Sequence, residues 1–282
     1  MNDQHTSGHE YAVVVGVDGT ATALHAVAWA ADEAVAHGGS LRIVHAAPYA
    51  VDAPGTRRAT GILARAKAVA RHERPRLAVH TRCVGKQVLD GLLGEAEGAQ
   101  LLVTGLISET IADTVLGSVT LDVLGRSSCS VAVVRRSDAI RGRGILVGVA
   151  DPRADTSALL LAFTEAAAHD DGVTVIHVDG RRPGFPTTDL VDAVGRLSAR
   201  FPHVRAHVDS VHGDAADVLA RRSAAARMVI VGGGGPHDAR RVLLGSTSRA
   251  LVWNSACPVL VAPRDAQRHA TVGAAGPEHD AG

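Results

Sequence analysis

The chain repeats itself. "YAVVVGVDGTATALHAVAWA" from Tyr11 returns as "GILVGVADPRADTSALLLAF" from Gly144, and "LRIVHAA" from Leu41 returns as "VTVIHVD" from Val173. "QLLVTG" ending at Gly105 returns as "RMVIVGG" ending at Gly233, and "LGSVTLDVLGRSSCSVAVV" from Leu116 as "LGSTSRALVWNSACPVLVA" from Leu244. The order is kept and the offset stays near roughly 130 residues, the length of a domain and far above the roughly 20–50 of a solenoid repeat. Whatever the chain folds into must therefore be built twice within 282 residues. The sequence predicts a flexible start over 1–10, a first domain over 11–135, a polar linker over 136–143, a second domain over 144–264 and a disordered, small and polar tail over 265–282.

Within each copy, short apolar runs alternate with longer Ala/Leu-rich segments. The first copy has runs at Ala12–Val17, Leu41–Ala46, Leu77–Cys83, Leu101–Thr104 and Val131–Arg135, and those of the second start near Ile145, Val173, Val204, Met228 and Val259. Val-rich runs that read as apolar on both faces predict buried parallel strands. Segments such as Thr22–His37 are long enough to be crossover helices. The expected fold class is α/β: two tandem, doubly wound, Rossmann-like sheets of five parallel strands flanked by helices. Hydrophobic residues make up 46% of the chain and aromatics only 2%, so the cores must be built from Ala, Val, Leu and Ile. The final strands, Val131–Arg135 and Val259–Ala262, would be edges of an isolated unit. They are expected to pair the two halves within the chain and to leave a homodimer open.

The chemistry concentrates after the fourth run of the second copy, in "VGGGGPHDARRVLLGS" from Val231 to Ser246. In a doubly wound sheet this stretch lies beyond the carboxyl ends of the strands, where ligands bind. Glycines admit positive φ and close approach of backbone N–H groups, which together make an anion-binding concavity. The helix beginning at Gly245-Ser246 adds unpaired donors and the positive end of its dipole, with Ser246 expected as a capping hydroxyl. The stretch lacks the Gly-Lys-Ser/Thr ending of a P-loop, and a dinucleotide fingerprint would follow the first strand instead.

Gly232-x-x-Gly235, nine residues and then Gly245-Ser246 resembles the nucleotide-binding pattern of the universal stress protein family. The following "TSRALVWNSACPVLVAP" resembles that family's last helix and strand. The resemblance covers both copies. It implies an adenine-nucleotide-binding fold in which an aspartate at the end of the first strand and backbone at the end of the second hold adenosine, while the glycine loop and Gly-Ser hold phosphates. In the second copy these places fall on Val178, Gly232, Gly233, Gly235, Gly245, Ser246 and Thr247. Ala150 occupies the aspartate's place there, and Asp151 follows one residue late, its aim left to the Asp-Pro turn. In the first copy they fall on Asp18, Ala46, Gly105, Gly117, Ser118 and Val119, but Ser108 replaces the second glycine and the loop is one residue short. Binding is therefore expected mainly in the second copy.

Other candidates carry less. His45 and His177 hold equivalent places and are expected to pack beside the crevice. His203, His207 and His212 are expected to be solvated, because their spacing does not put them on one face, and no metal site is expected. Cys129 and Cys257 read as small buried hydrophobes, and with Cys83 they make no disulfide framework. Arg240 and Arg241 flank the loop and are as well suited to an exposed basic face as to phosphate. Asp32 and Glu33 are expected to face solvent from mid-helix. A net charge of +0 argues against nucleic acid or an anionic membrane as partner. The absence of a signal-like start or a bilayer-length apolar run predicts a cytoplasmic protein. The expected function is stress-associated ATP binding by a regulatory module, with Mg²⁺ entering at most with the ATP phosphates. A non-binding interaction module and a slow ATP hydrolase remain as alternatives, since no nucleophile–base pair is visible.

Overall fold

Val13, Val14 and Val15 are all fully buried, although successive residues of a strand face opposite sides. The strand that carries them must be covered on both faces. The computed structural model, which describes residues 11–106, 117–135, 142–179, 187–233 and 244–263, shows how this is done. The first copy runs β1 (Ala12–Gly16), α1 (Ala21–Ala36), β2 (Ser40–Ala46), α2 (Ala53–Glu73), β3 (Val79–Val84), α3 (Val88–Ala96), β4 (Leu101–Gly105), α4 (Gly117–Arg126) and β5 (Ser130–Val134). The second runs β6 (Ile145–Gly148), α5 (Thr156–His169), β7 (Val173–Asp179), α6 (Thr187–Arg200), β8 (Ala206–His212), α7 (Ala215–Ser223), β9 (Met228–Gly232), α8 (Ser246–Asn254) and β10 (Val259–Ala262).

Strands within a copy pair in parallel, in the order β3-β2-β1-β4-β5 and β8-β7-β6-β9-β10. Between the copies β5 and β10 run antiparallel, with Val133 opposite Val259, Ala132 opposite Leu260 and Val131 opposite Val261, and this completes one ten-stranded sheet. Helices α1, α2, α5 and α6 cover one face over Val13, Ile43, Ile145 and Leu260. Helices α3, α4, α7 and α8 cover the other over Val14, Leu102, Val229 and Val261. Each apolar layer continues across the seam between copies. Among the described residues no helix is long and apolar enough to cross a membrane.

Local chemistry sets the helix starts. Thr20 Oγ1 accepts the Ala23 N–H at 3.2 Å, Asp52 accepts that of Gly55 at 2.7 Å with a proline in the first turn, and Asp214 accepts those of Ala216 and Asp217. Between α1 and β2 only glycine fits at Gly39, where a Cβ would lie 1.9 Å from the Tyr11 carbonyl oxygen.

Two expectations need correction. The third strand of each copy is not apolar on both faces: β3 and β8 are largely solvent-facing. They end the sheet, so each has one partner strand, and side chains such as His80, Arg82, His207 and Asp209 keep the outer edge polar. The second correction concerns α1. Asp32 is half exposed and pairs with Arg74 at 2.8 Å, but Glu33 is buried at 2% exposure. It faces α5 across the seam, where its Oε2 lies 3.0 Å from His169 Nε2. The reciprocal contact joins Glu165, fully buried, to His37 at 2.9 Å. Tyr11 stacks on His37 with ring centroids 4.0 Å apart.

Burial pushes the Glu33 carboxyl above the ordinary carboxylate value, and the His169 hydrogen bond only partly offsets it. Burial alone would lower His37, but the adjoining Glu165 carboxylate outweighs it and leaves the imidazole above 6.5. The folded chain thus holds these protons more tightly than the unfolded chain. For His37 that stabilisation is complete below about pH 6.5 and is lost as pH rises through the folded value. The upward shift of Glu33 acts in the same sense from a lower starting value. Urea midpoints should therefore fall between about pH 6 and about pH 8.5, and His37→Gln should flatten the change. A wild-type midpoint that rises over this interval would contradict the assignment.

Candidate functional site

Strand order reverses between β1 and β4 and again between β6 and β9. At each reversal the connections leave toward opposite faces, so a crevice opens beyond the carboxyl ends of the strands. The second copy has a cavity of about 190 Å³ there and the first has one of about 220 Å³.

In the second copy the strand ends bring Gly148, Val178 and Gly232 to the cavity, and α8 brings Gly245, Ser246 and Thr247. Gly233 continues from the end of β9. Gly235, Arg240 and Arg241 lie outside the described residues, as does Ser108 of the first copy. Ser246 is not the capping residue that was expected. The N-cap is Gly245, in extended conformation at φ −58° and ψ 153°, which brings no side chain to cap the helix. Backbone donors of the first turn are thus left at the rim of the cavity, a geometry suited to an anion. Deeper in, Ser248 Oγ donates to the Gly232 carbonyl at 3.0 Å and ties the helix start to the strand end.

Among the described residues the acidic one lining this cavity is Asp155, and Asp151 does not line it. Asp151 Oδ1 is turned back onto its own loop by the Arg153 N–H at 2.8 Å. Asp155 sits at the N-cap of α5 but caps nothing. Its Oδ2 instead accepts the N–H groups of Ala150 and Asp151 at 2.7 and 3.0 Å. Its Oδ1 presses against Gly232, where a Cβ would lie 2.4 Å away. A side chain at the end of β9 would push this carboxylate out of its place. Burial raises the Asp155 carboxyl above the usual range, against the two backbone donors that lower it. Sequence reasoning missed Asp155 because an acid just before an apolar helix reads as a cap. Aligning the copies does carry the signal: Asp18 faces Ala150, and Ala23 faces Asp155. The carboxylate has moved from the strand end to the helix start, yet both versions line the equivalent cavity.

The first-copy cavity contains Asp18, Ala46, Gly105 and Val119. Asp18 is exposed, and its Oδ1 accepts from both the N–H and the hydroxyl of Thr20, at 2.8 and 2.7 Å. Gly117 and Ser118 open α4. Thr104 is a second residue not anticipated: its Oγ1 is buried in the cavity wall without a hydrogen-bond partner among the described residues. Its counterpart in the second copy is Val231.

His45 and His177 make matching contacts. Each imidazole Nδ1 donates to the carbonyl beyond the first strand of its copy, Val17 at 2.6 Å and Val149 at 3.0 Å. Nε2 then meets the Tyr49 hydroxyl at 2.7 Å in one copy and Asp179 at 3.2 Å in the other. These rings join adjacent strand ends and so hold the crevice floor. Cys129 and Cys257 are buried, and burial pushes the Cys257 thiol up to about 11. His203, His207 and His212 are exposed.

Two Rossmann-like units, each with a crevice at the reversal of strand order and joined edge to edge, define a tandem α/β protein. The chain belongs to the universal stress protein family, whose model matches residues 12–135 and again 143–263. A universal stress protein of Mycobacterium tuberculosis is 28% identical over 283 residues, covering 93% of this chain and 98% of its own. Among solved structures, a universal stress protein from Archaeoglobus fulgidus shares the fold with a TM-score of 0.72 at 18% identity, over 92% of this chain and all of its own. A universal stress protein solved in complex with cAMP aligns at 34% identity and a TM-score of 0.39, over 45% of this chain and 97% of its own.

Asp155 supplies the acceptor for two backbone donors at a buried position. Asp155→Ala should therefore destabilise the chain by about 1–3 kcal/mol, while Asp155→Asn, which keeps an acceptor oxygen, should cost less. Denaturant midpoints of the two variants measure the difference. Equal losses would show that the carboxylate does not organise this loop.

Proposed function

We propose that this chain is a cytoplasmic, stress-associated adenine-nucleotide-binding protein with ATP as its preferred ligand, and that occupancy regulates how it meets partner proteins. The observation that carries this reading is the start of α8 at the rim of the second-copy cavity, with a glycine as its N-cap and no side-chain cap among the described residues. Unpaired N–H groups and a positive helix end there would receive phosphate oxygens. In this reading Gly232, Gly233, Gly235, Gly245, Ser246 and Thr247 form the phosphate side of the site. Val178 backbone and the Asp155 carboxylate, in place of Asp151, would hold the adenosine. The first-copy site, with Asp18, Ala46, Gly105, Gly117, Ser118 and Val119, would bind more weakly because its loop is shortened. Mg²⁺ would accompany ATP through the phosphates, without a protein cage of its own. The functional units would be residues 11–135 and 144–264, held together in solution through β5 and β10.

One observation favours a second reading, an interaction module without nucleotide. Asp155 already places an internal anion on the backbone donors of Ala150 and Asp151, and a phosphate brought close to it would be repelled.

Calorimetry with ATP, ADP and AMP separates the two readings. Each added charge-assisted hydrogen bond contributes about 1.5–3 kcal/mol, so ATP should bind at least about tenfold more tightly than AMP. Ser246→Pro is a sharper probe. Proline suits the first helical position, and Gly245 already has the extended conformation that a following proline requires. The variant removes one backbone donor and one hydroxyl without breaking α8. ATP affinity should fall about tenfold with the thermal midpoint unchanged. Equal affinity for AMP and ATP, or no binding at all, would favour the interaction module. ATP turnover should stay far below a typical enzyme's value of about 10 s⁻¹.

A further inference from the structure

The seam between the two copies holds polar side chains that the nucleotide reading does not use. Glu33 and Glu165 are 2% and 0% exposed, and they approach one another from α1 and α5 together with His169. One potential ligand atom from each of the three lies within 4.8 Å of the others. One pair, Glu33 Oε2 and His169 Nε2, is hydrogen-bonded at 3.0 Å. A tetrahedral ion with bonds of about 2.0–2.2 Å would hold its donors about 3.3–3.6 Å apart, so a small outward shift of this pair would admit one in place of the shared proton.

A second observation points to a missing ligand. Glu165 Oε2 is engaged by His37, but Oε1 is fully buried and has no hydrogen-bond partner among the described residues. A buried carboxylate oxygen without a partner is costly, and a cation satisfies it directly. Two carboxylates with neutral imidazoles would balance a dication, whose binding would displace the protons that His37 and His169 share with the two glutamates. Mixed carboxylate and imidazole donors in so small a set suit a zinc-class transition metal. Calcium wants six to eight oxygens, and magnesium wants octahedral oxygen coordination.

We propose that Glu33, Glu165 and His169 bind one zinc-class divalent cation between the two halves, with His37 orienting Glu165. The ligands come from both copies, so the ion would clamp α1 to α5. A water molecule or solvent would complete the coordination. The site is independent of the crevices and of whatever they bind.

The test uses the full chain, stripped of metal by a chelator and then titrated with Zn²⁺ and, separately, with Co²⁺ as a spectroscopic probe. Wild type should take up one Zn²⁺ per chain, show a tetrahedral Co²⁺ absorption spectrum and gain thermal stability on metal addition. Glu165→Gln keeps the side-chain shape, and His169→Gln lies at the partly exposed end of the cluster. Circular dichroism should show both folded. Each should weaken Zn²⁺ binding by at least the roughly 10–100-fold expected when a residue that merely orients a ligand is lost, and His37→Gln should weaken it about tenfold. Replacing the exposed His203, His207 and His212 together by Ala should leave uptake unchanged. The proposal is overturned if wild type takes up no zinc, if folded Glu165→Gln binds as wild type does, or if uptake disappears with the three exposed histidines.

Discussion

A strand whose every residue is buried needs a partner on each edge and a layer on each face. β5 and β10 are such strands, with no exposed residue along either. Within its own copy each has a neighbour on one side alone, β4 for β5 and β9 for β10. The remaining edge would present unpaired N–H and C=O groups beside Val131, Val133, Val259 and Val261, an arrangement that invites association. Antiparallel pairing of the two strands meets both needs at once. It also merges the apolar layers, so that the helices of one copy continue the cover of the other. Arg135 reinforces the seam by donating to the carbonyls of Trp253 and Ser255 at the end of α8.

The crevices depend on a different property of the same sheet. Because the order reverses beside β1 and β6, the chain leaves the two central strands of each copy in opposite directions, and a gap at their carboxyl ends is unavoidable. How that gap is furnished is left to a few side chains. One copy supplies a carboxylate from the loop after its first strand, held by Thr20. The other supplies it from the start of α5, held by two backbone N–H groups. Matched histidines, His45 and His177, join the strand ends below. The scaffold is shared while its contents differ, so the two cavities need not have equal affinities.

Sequence pattern makes much of the fold legible, because the repeat and the Val-rich runs of the central strands report how the backbone must be covered. It was less able to locate strands at the sheet's outer ends. Leu77–Cys83 and Val204 onward contain enough Val and Leu to resemble buried strands, and only the observed order shows β3 and β8 at the edges. Glu33 was read as solvated because a glutamate in an Ala-rich helix ordinarily is. Its burial follows from the position of α5, which belongs to the other copy. Asp155 escaped for a related reason: its side chain turns away from the helix it precedes toward N–H groups in the loop behind it. The last two misreadings each concern a polar group whose partner is remote in sequence or lies against the usual local rule.

Comparing the copies shows why some residues recur while others have drifted apart. Glu33 and His37 reappear as Glu165 and His169, and the two pairs are crossed, so each glutamate meets the other copy's histidine. Removing one member leaves a buried charge in the opposite copy without its partner, and breaking such a pair costs about 3–5 kcal/mol. A change on one side therefore cannot be repaired on that side alone, and the four residues are constrained as a set. The crevices carry no such reciprocity. Asp18 and Ala23 touch nothing in the second copy's cavity, and Ala150 and Asp155 touch nothing in the first. Either cavity can change its polar groups without destabilising the other. Duplication within one chain thus keeps the seam symmetric through mutual dependence and leaves the two ligand crevices to diverge.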